Sequence, residues 1–463
     1  MARRRRYPKP PRSHVGPPAA EAPILLDEVP LMIRLEREVQ DEMRPALVAR
    51  LVEKIASEET ALRGHAPRCA KCSRAMSCRG RRDASFLTRF GEITIGASVY
   101  RCKPCRRQER PLFERLGVEL GHLSGSLARL LALLGAVVPY ELARDLAMVF
   151  FGVEVGTMTV WREVQRLGQA CEDYTAAQAR YHAGPHADSP APAEAPFAVL
   201  LGVDGCALGM QVHPTRRQRT DDRPLPALPK VEDGQFREVK TGVLMRIMDR
   251  TEPTPGRRSV VRRVLCTCLG QADMIFDRLW ATLLELGWLG PHTVIVILGD
   301  GAEWIWNRAI RFPNRCEILD FWHAIERAWE LARLLYGEDS KQATKWVARL
   351  AEDLRAGKVL GVVARLRTLS CSTAEQRDKL DSLIKYYTDN SERMRYDKYI
   401  RLGYGIGSGA VESAHKQVVQ ARMRQAGMRW SETGAQRLLA LRVLLLNNQW
   451  SMLDRLTVPR IAA

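Results

Sequence analysis

Two stretches of the chain share one design. Thr293 to Gly299 is an apolar, mostly β-branched run that delivers Asp300 and Gly301, and Phe197 to Val203 is an apolar run that delivers Asp204 and Gly205. Short apolar runs bounded by Pro and Gly read as strands buried in a covered sheet. A carboxylate just past the carboxyl end of such a strand stands at the rim where open α/β sheets place their ligands. The plain alternative for Asp300 is that it caps the next helix. On neighbouring strands, the two carboxylates would repel and one would hold its proton unless a cation neutralised them. Oxygen donors of this kind select Mg²⁺ or Mn²⁺. Glu412 lies on the helix that opens after the flexible loop Gly403-Tyr-Gly-Ile-Gly-Ser-Gly409, and it is placed to close the site. Three carboxylates can hold two ions about 3.5–4 Å apart. One ion would activate a water or a 3′-hydroxyl, and the other would stabilise the departing 3′-oxygen of a phosphodiester. His415 and Lys416 follow Glu412 at helical i+3 and i+4 spacing, so all three share a face and could meet a phosphate beside the ions. A single Glu on a helix is ordinarily a solvated residue, and Glu303 and Glu326 are rival third ligands.

A second constellation precedes these. Cys69-Ala-Lys-Cys72 and Cys102-Lys-Pro-Cys105 are two hooks whose four thiolates can occupy the corners of a tetrahedron around one structural Zn²⁺. Phe90 to Tyr100 alternates like a strand between them, a zinc-ribbon layout. Neither hook carries a trailing glycine. A redox pair or unpaired buried thiols are the alternatives, and Cys78 is a possible substitute ligand. Arg68, Lys71, Arg74, Arg79, Arg81, Arg82, Lys103, Arg106 and Arg107 surround the hooks.

The chain has 463 residues, a net charge of +18 and 11 cysteines. The charge argues for a polyanionic partner, nucleic acid before membrane. The odd cysteine count with metal-ligand spacing argues against a disulfide framework. Prolines follow Arg3 to Arg6 where a signal peptide needs an apolar stretch. The apolar patch Leu127 to Ala143 is broken by Arg129 and Glu141, so it does not span a bilayer. A cytosolic location follows.

The elements that must position these residues divide the chain as follows. Residues 1–27 are a basic disordered arm, and 28–65 a helix for packing or dimerisation. Residues 66–115 are the zinc-ribbon-like unit. Residues 116–182 are helical, with Tyr140 to Phe150 and Thr157 to Gln169 across the break Gly152 to Gly156. Thr157 is the expected N-cap, and the second helix, bearing Thr159, Trp161, Arg162 and Gln165, suits a helix-turn-helix. Plain bundles use the same helix pairing. A linker covers 183–196. Residues 197–338 hold the α/β part, with strands over Phe236 to Met248 and Ser259 to Leu269 and a helix over Gln271 to Leu286. Residues 339–402 are a helical insertion, 403–455 the closing helices with Glu412, and 456–463 a tail.

With these residues in place, the chain resembles the RNase H-like DDE transposases of bacterial insertion sequences, and the ISKra-type group most. The resemblance rests on VDG around Asp204, GDGAEWIWN from Gly299, ILDFWHA from Ile318, and GSGAVES followed by AGMRWS, ending at Ser431. It implies an α/β RNase H-like core with a helical insertion, preceded by the zinc ribbon and the helix-turn-helix. It implies Asp204, Asp300 and Glu412 as the ligands of two Mg²⁺ (or Mn²⁺) ions. It also implies cleavage and transfer of double-stranded DNA at terminal inverted repeats and target, by a homo-oligomer of at least two subunits near the bacterial nucleoid. Asp320 and His323 match a D-x-x-H signature that supports the site or its DNA contacts. His323 reads equally as a packed or capping residue. Trp430 is placed to stack on a flipped base or, in the plainer reading, to fill a core. A non-catalytic repressor derived from such an enzyme, or a metal nuclease without strand transfer, are the alternative functions.

Overall fold

The computed structural model describes residues 29–63, 66–118, 123–184, 197–211, 235–254, 257–260 and 262–457. The expected basic arm and most of the linker and the tail lie outside the described residues.

The chain begins with a long helix, α1 (Leu31–Leu62). Strands β1 (Ser77–Thr88), β2 (Gly91–Arg101) and β3 (Gln108–Glu109) form an antiparallel sheet in that order. The far half of α1 packs on this sheet through Val52 and Ile55, against Phe86, Ile93 and Ile95. The near half carries exposed Leu31, Met32, Leu35, Val39 and Met43. Helices α2 (Pro111–Leu116), α3 (Gly125–Val137), α4 (Tyr140–Phe151) and α5 (Thr157–Ala183) follow. Gly152 ends α4 in the left-handed conformation, and Gly156, not Thr157, is the N-cap of α5 without any side-chain cap. The helix is also far longer than the sequence pattern suggested.

A five-stranded mixed sheet organises the rest. Its strands are β4 (Phe197–Gly209), β5 (Phe236–Arg246), β8 (Val264–Leu269), β9 (Thr293–Gly299) and β10 (Arg315–Leu319). Between β5 and β8 a separate hairpin, β6 (Arg250–Thr254) and β7 (Arg257–Val260), replaces the start of the single strand expected over Ser259 to Leu269. The order across the sheet is β10-β9-β4-β5-β8. β4 runs parallel to β9 and β9 to β10, whereas β5 is antiparallel to both of its neighbours. The two strands that carry the acidic residues are therefore adjacent, parallel and buried, which is why both read as unbroken apolar runs.

Helices cover both faces. On one, α6 (Ala272–Glu285), α7 (Glu303–Ala309) and α8 (Phe321–Tyr336) bury Ile275, Leu279, Ile305 and Ile325 against the strands. The helices of the expected insertion, α9 (Lys341–Arg355), α10 (Val359–Arg367), α11 (Ala374–Asp389) and α12 (Tyr396–Arg401), extend this same core through Val347, Leu354 and Tyr387. On the other, α13 (Gly409–His415), α14 (Ala421–Met423), α15 (Glu432–Leu446) and α16 (Trp450–Thr457) join α5 in a second core around Leu167, Val243, Val411 and Leu438. The helix expected to read DNA thus ends inside the main body: Arg437 donates to the Gln169 side chain at 2.7 Å, and Gln436 donates to Glu172 at 2.8 Å. The sheet edge at β8 is masked as well, because Asn447 pairs with both the N–H and the carbonyl of Leu265 at 2.9 Å.

Candidate active site and metal centre

The parallel register ends with Gly202 opposite Leu298, so Asp204 and Asp300 follow two residues later, side by side at one rim. Asp300 lies past the end of β9, but Asp204 does not end its strand as the sequence suggested, because β4 runs on against β5 to Gly209. Asp204 Oδ1 accepts the Gly205 N–H at 2.7 Å, and Asp300 Oδ1 accepts the Ala302 N–H at 3.0 Å. Burial and the nearby Asp300 charge push Asp204 up to about 6, against the pull of the Gly205 N–H. Glu238 on β5 adds to that negative field, and His323 on α8 opposes it.

Helix α13 lies directly on β4 because Gly202 has no side chain: a Cβ there would stand 2.4 Å from Val411 Cγ2. The approach seats His415 over Asp204, with Nδ1 3.7 Å from Oδ2. His415 is buried, which lowers its affinity for a proton, while Asp204 and the charges of Glu238 and Glu412 oppose that shift. His415 therefore faces the acidic residue and is not open to a phosphate, whereas Glu412 and Lys416 are exposed. The single shared face expected for the three is divided, with His415 turned inward and Glu412 and Lys416 outward; a five-residue π-helix then begins at Lys416. Buried Arg442 satisfies carbonyls that this turn presents, at Gln417 and Val418.

Glu412 accepts a hydrogen bond from Ser408 Oγ at 2.9 Å. Ser408 is tied in turn to Asp320, which accepts its N–H through Oδ2. Asp320 is fully buried, and its Oδ1 accepts the N–H groups of Trp322 at 2.6 Å and His323 at 3.0 Å, capping α8. It is a brace between α8 and the glycine loop. His323 Nδ1 lies 3.5 Å from Glu326, so that rival carboxylate is turned toward a neighbour on its own helix. Glu303 is exposed on α7. Trp430 is buried, donates to the Met423 carbonyl at 2.9 Å and stacks near the Arg422 guanidinium, so it is a core residue and not a base platform. Arg162 is exposed near the start of α5.

Among the described residues, the ligand atoms of Asp204, Asp300 and Glu412 do not all come within 4.8 Å of one another; the four cysteines Cys69, Cys72, Cys102 and Cys105 do. The two Asp carboxylates nonetheless fit a hard cation, because desolvated like charges favour one. The sulfurs fit Zn²⁺: a tetrahedral Zn–S length of about 2.3 Å puts sulfurs about 3.8 Å apart. The two hooks have matching geometry. Cys69 N–H donates to Arg74 O and Cys102 N–H to Arg107 O, each at 2.9 Å. Ser73 and Arg106, which follow the hooks, both take the left-handed conformation, at φ 56° and 57°. Each holds the turn that a trailing glycine would take without strain. The backbone N–H groups of Lys71 and Cys72 lower the Cys69 thiol to about 7, while the Cys72 thiol pushes Cys105 up to about 12. Crowded thiols of this kind lose all their protons readily only to a metal. Cys78 is exposed and outside the cluster, which removes it as a substitute ligand. The nine basic residues around the hooks are all exposed.

Glu238 and Gly202 are the site features that sequence reading missed. Gly202 had a signal, since a glycine inside an apolar strand marks a close backbone approach. Glu238 had none, because only the β4–β5 pairing brings it near.

No protein-family model matches the chain, and no curated protein matches it. Among solved structures it is similar to a chain of the Drosophila P element transposase strand transfer complex, at 10% identity over 71% of this chain and 80% of that one, with a TM-score of 0.23. A superposition that loose does not define a shared fold. Among the described residues no helix is long and apolar enough to cross a membrane.

Proposed function

We propose that the chain is a DDE transposase with an RNase H-like core, which binds the terminal inverted repeats of a mobile element and cuts and transfers its strands. The observation that carries this reading is the juxtaposition of Asp204 and Asp300 where the adjacent parallel strands β4 and β9 part, with the helix of Glu412 laid over the first of them. Of the stretches that resemble the family, those holding Asp204, Asp300, Asp320 and Ser408 meet at this rim or brace it, while the one ending at Ser431 packs at the far end of β4. Asp204, Asp300 and Glu412 would hold two Mg²⁺ (or Mn²⁺) ions, which would supply an activated water or 3′-hydroxyl and charge for the departing 3′-oxygen. Asp320 and Ser408 hold the loop that presents Glu412. His415 lies against Asp204 and keeps water from that side of it. Lys416, together with Arg424 near the same site, supplies exposed positive charge for the phosphate backbone.

In the same reading the four cysteines hold one structural Zn²⁺, and the exposed arginines around them grip duplex DNA with Arg162. The exposed apolar residues on the near half of α1 support self-association, as pairing two ends requires. A non-catalytic DNA-binding repressor is the second reading, favoured by the third carboxylate's hydrogen bond to Ser408 and its failure to converge with the other two. The test is an end-containing duplex incubated with Mg²⁺ and wild type, Asp204→Ala, Asp300→Ala or Glu412→Gln. Cleavage and joined products from wild type alone support transposition. Binding without cleavage supports the repressor, and free ends without joined products a nuclease.

A further inference from the structure

The expected helical insertion reaches back to the acidic rim through one side chain. Tyr386 on α11 donates its hydroxyl to the carbonyl of Asp300 at 2.7 Å, across 86 residues of chain. Its ring also lies over Gly301, which has φ +98°; a Cβ there would be 2.8 Å from Tyr386 Cε2 and 3.0 Å from Leu319. The Arg327 guanidinium of α8 covers the ring at 4.2 Å from its centroid. The neighbouring residue Tyr387, fully buried, donates to the Ala324 carbonyl at 2.8 Å and so fixes α11 on α8. From the opposite side Asp320 N–H donates to the Gly299 carbonyl at 2.7 Å. The turn that carries Asp300 is thus held at both shoulders, and one of the two comes from the insertion.

Gly301 is the soft joint of that turn, because it alone among its neighbours enters the left-handed region without strain. The Asp300 carbonyl belongs to the peptide plane that rotates about this joint. A hydrogen bond to that carbonyl therefore sets the direction in which Asp300 presents its carboxylate. We propose that Tyr386 is a positioning residue for Asp300, and that docking of the helical insertion is transmitted through it to the metal-binding geometry of the site. This rests on the reading of Asp300 as a metal ligand.

The test uses the full chain and Mn²⁺ alone as probe, by calorimetric titration, with hydrogen exchange across 299–303 and Mg²⁺-dependent cleavage measured alongside. Tyr386→Phe keeps the ring and removes the hydroxyl. It should weaken Mn²⁺ binding about fivefold, the effect of one neutral hydrogen bond, and speed exchange in the Asp300 turn. Cleavage should need correspondingly more metal but return to within about twofold of wild type at saturation, a split that general unfolding would not give. Tyr386→Phe with unchanged Mn²⁺ affinity and unchanged exchange, while Asp300→Ala abolishes Mn²⁺ binding, overturns the positioning role and leaves the site intact. Mn²⁺ binding that survives Asp300→Ala overturns the metal reading and this inference with it.

Discussion

Replacing Asp320 with Ala tests the brace between α8 and the glycine loop. The carboxylate is completely buried and accepts three backbone N–H groups, from Trp322, His323 and Ser408. Loss of the two capping bonds costs about 1 kcal/mol. Leaving the buried Ser408 N–H without an acceptor costs about 1–3 kcal/mol more. Removing a buried charge recovers part of its desolvation, so the net expectation is about 2 kcal/mol. Asp320→Asn keeps an oxygen for the cap but can turn an N–H toward Ser408, so it should cost about half as much. Urea unfolding of the metal-free protein, followed by tryptophan fluorescence, reads the difference, and hydrogen exchange at the Ser408 amide locates it. An Ala variant within about 0.5 kcal/mol of wild type, or an unchanged Ser408 amide, would refute the reasoning that these three bonds anchor the loop.

The remaining expectations concern the metals, the charges and the close approach at β4. Elemental analysis should find about one zinc per chain, lost together with thermal stability in Cys69→Ser or Cys105→Ser; a metal-free wild type would contradict the hook assignment. In metal-free protein, Asp204 is raised to about 6 from an ordinary 3.8. Its contribution to stability is therefore fully present below about pH 4 and lost as pH rises through about 6, a loss of about 3 kcal/mol. Asp204→Asn should accordingly stabilise the apoprotein at pH 8 and not at pH 4, while abolishing Mn²⁺ binding; destabilisation at pH 8 would falsify the electrostatic account. Gly202→Ala should force Val411 and α13 off the strand, costing about 1–3 kcal/mol in chemical denaturation and impairing cleavage; a silent substitution would mean the approach is not tight. DNA affinity should fall steeply with salt as phosphate contacts release counterions, and a flat dependence would count against the basic surface.

Much of this arrangement was legible in the chain because its signals are local. A β-branched run that ends in Asp-Gly marked the end of β9 before Asp300; at Asp204 the same signal marked only the point where β4 parts from β9, since β4 runs on against β5 to Gly209. Cysteine spacing located the hooks, although only the backbone could reveal that Ser73 and Arg106 do the work of glycine. What escaped were properties of pairing between distant segments. Glu238 acquires its meaning from the register of β5 against β4, and Tyr386 from the docking of α11. The His415 side chain is turned inward because α13 lies close on β4 at Gly202, an approach that no amphipathic pattern announces. The α5 helix ran longer than its pattern because its far half is tied to α6 and α15, where Glu172 accepts from Arg278 and Gln436, so tertiary packing overrode the local reading. Trp430 carried no local mark that separates a buried ring from an exposed one.

The central claim is that two divalent ions sit at the rim between β4 and β9. Anomalous diffraction from crystals of the full chain with an end-containing duplex and Mn²⁺ tests it most directly. The account predicts two peaks about 3.5–4 Å apart, with Asp204 between them and Asp300 and Glu412 each on one, Glu412 having left Ser408. DNA bound in the crystal with no anomalous density at that rim would contradict it.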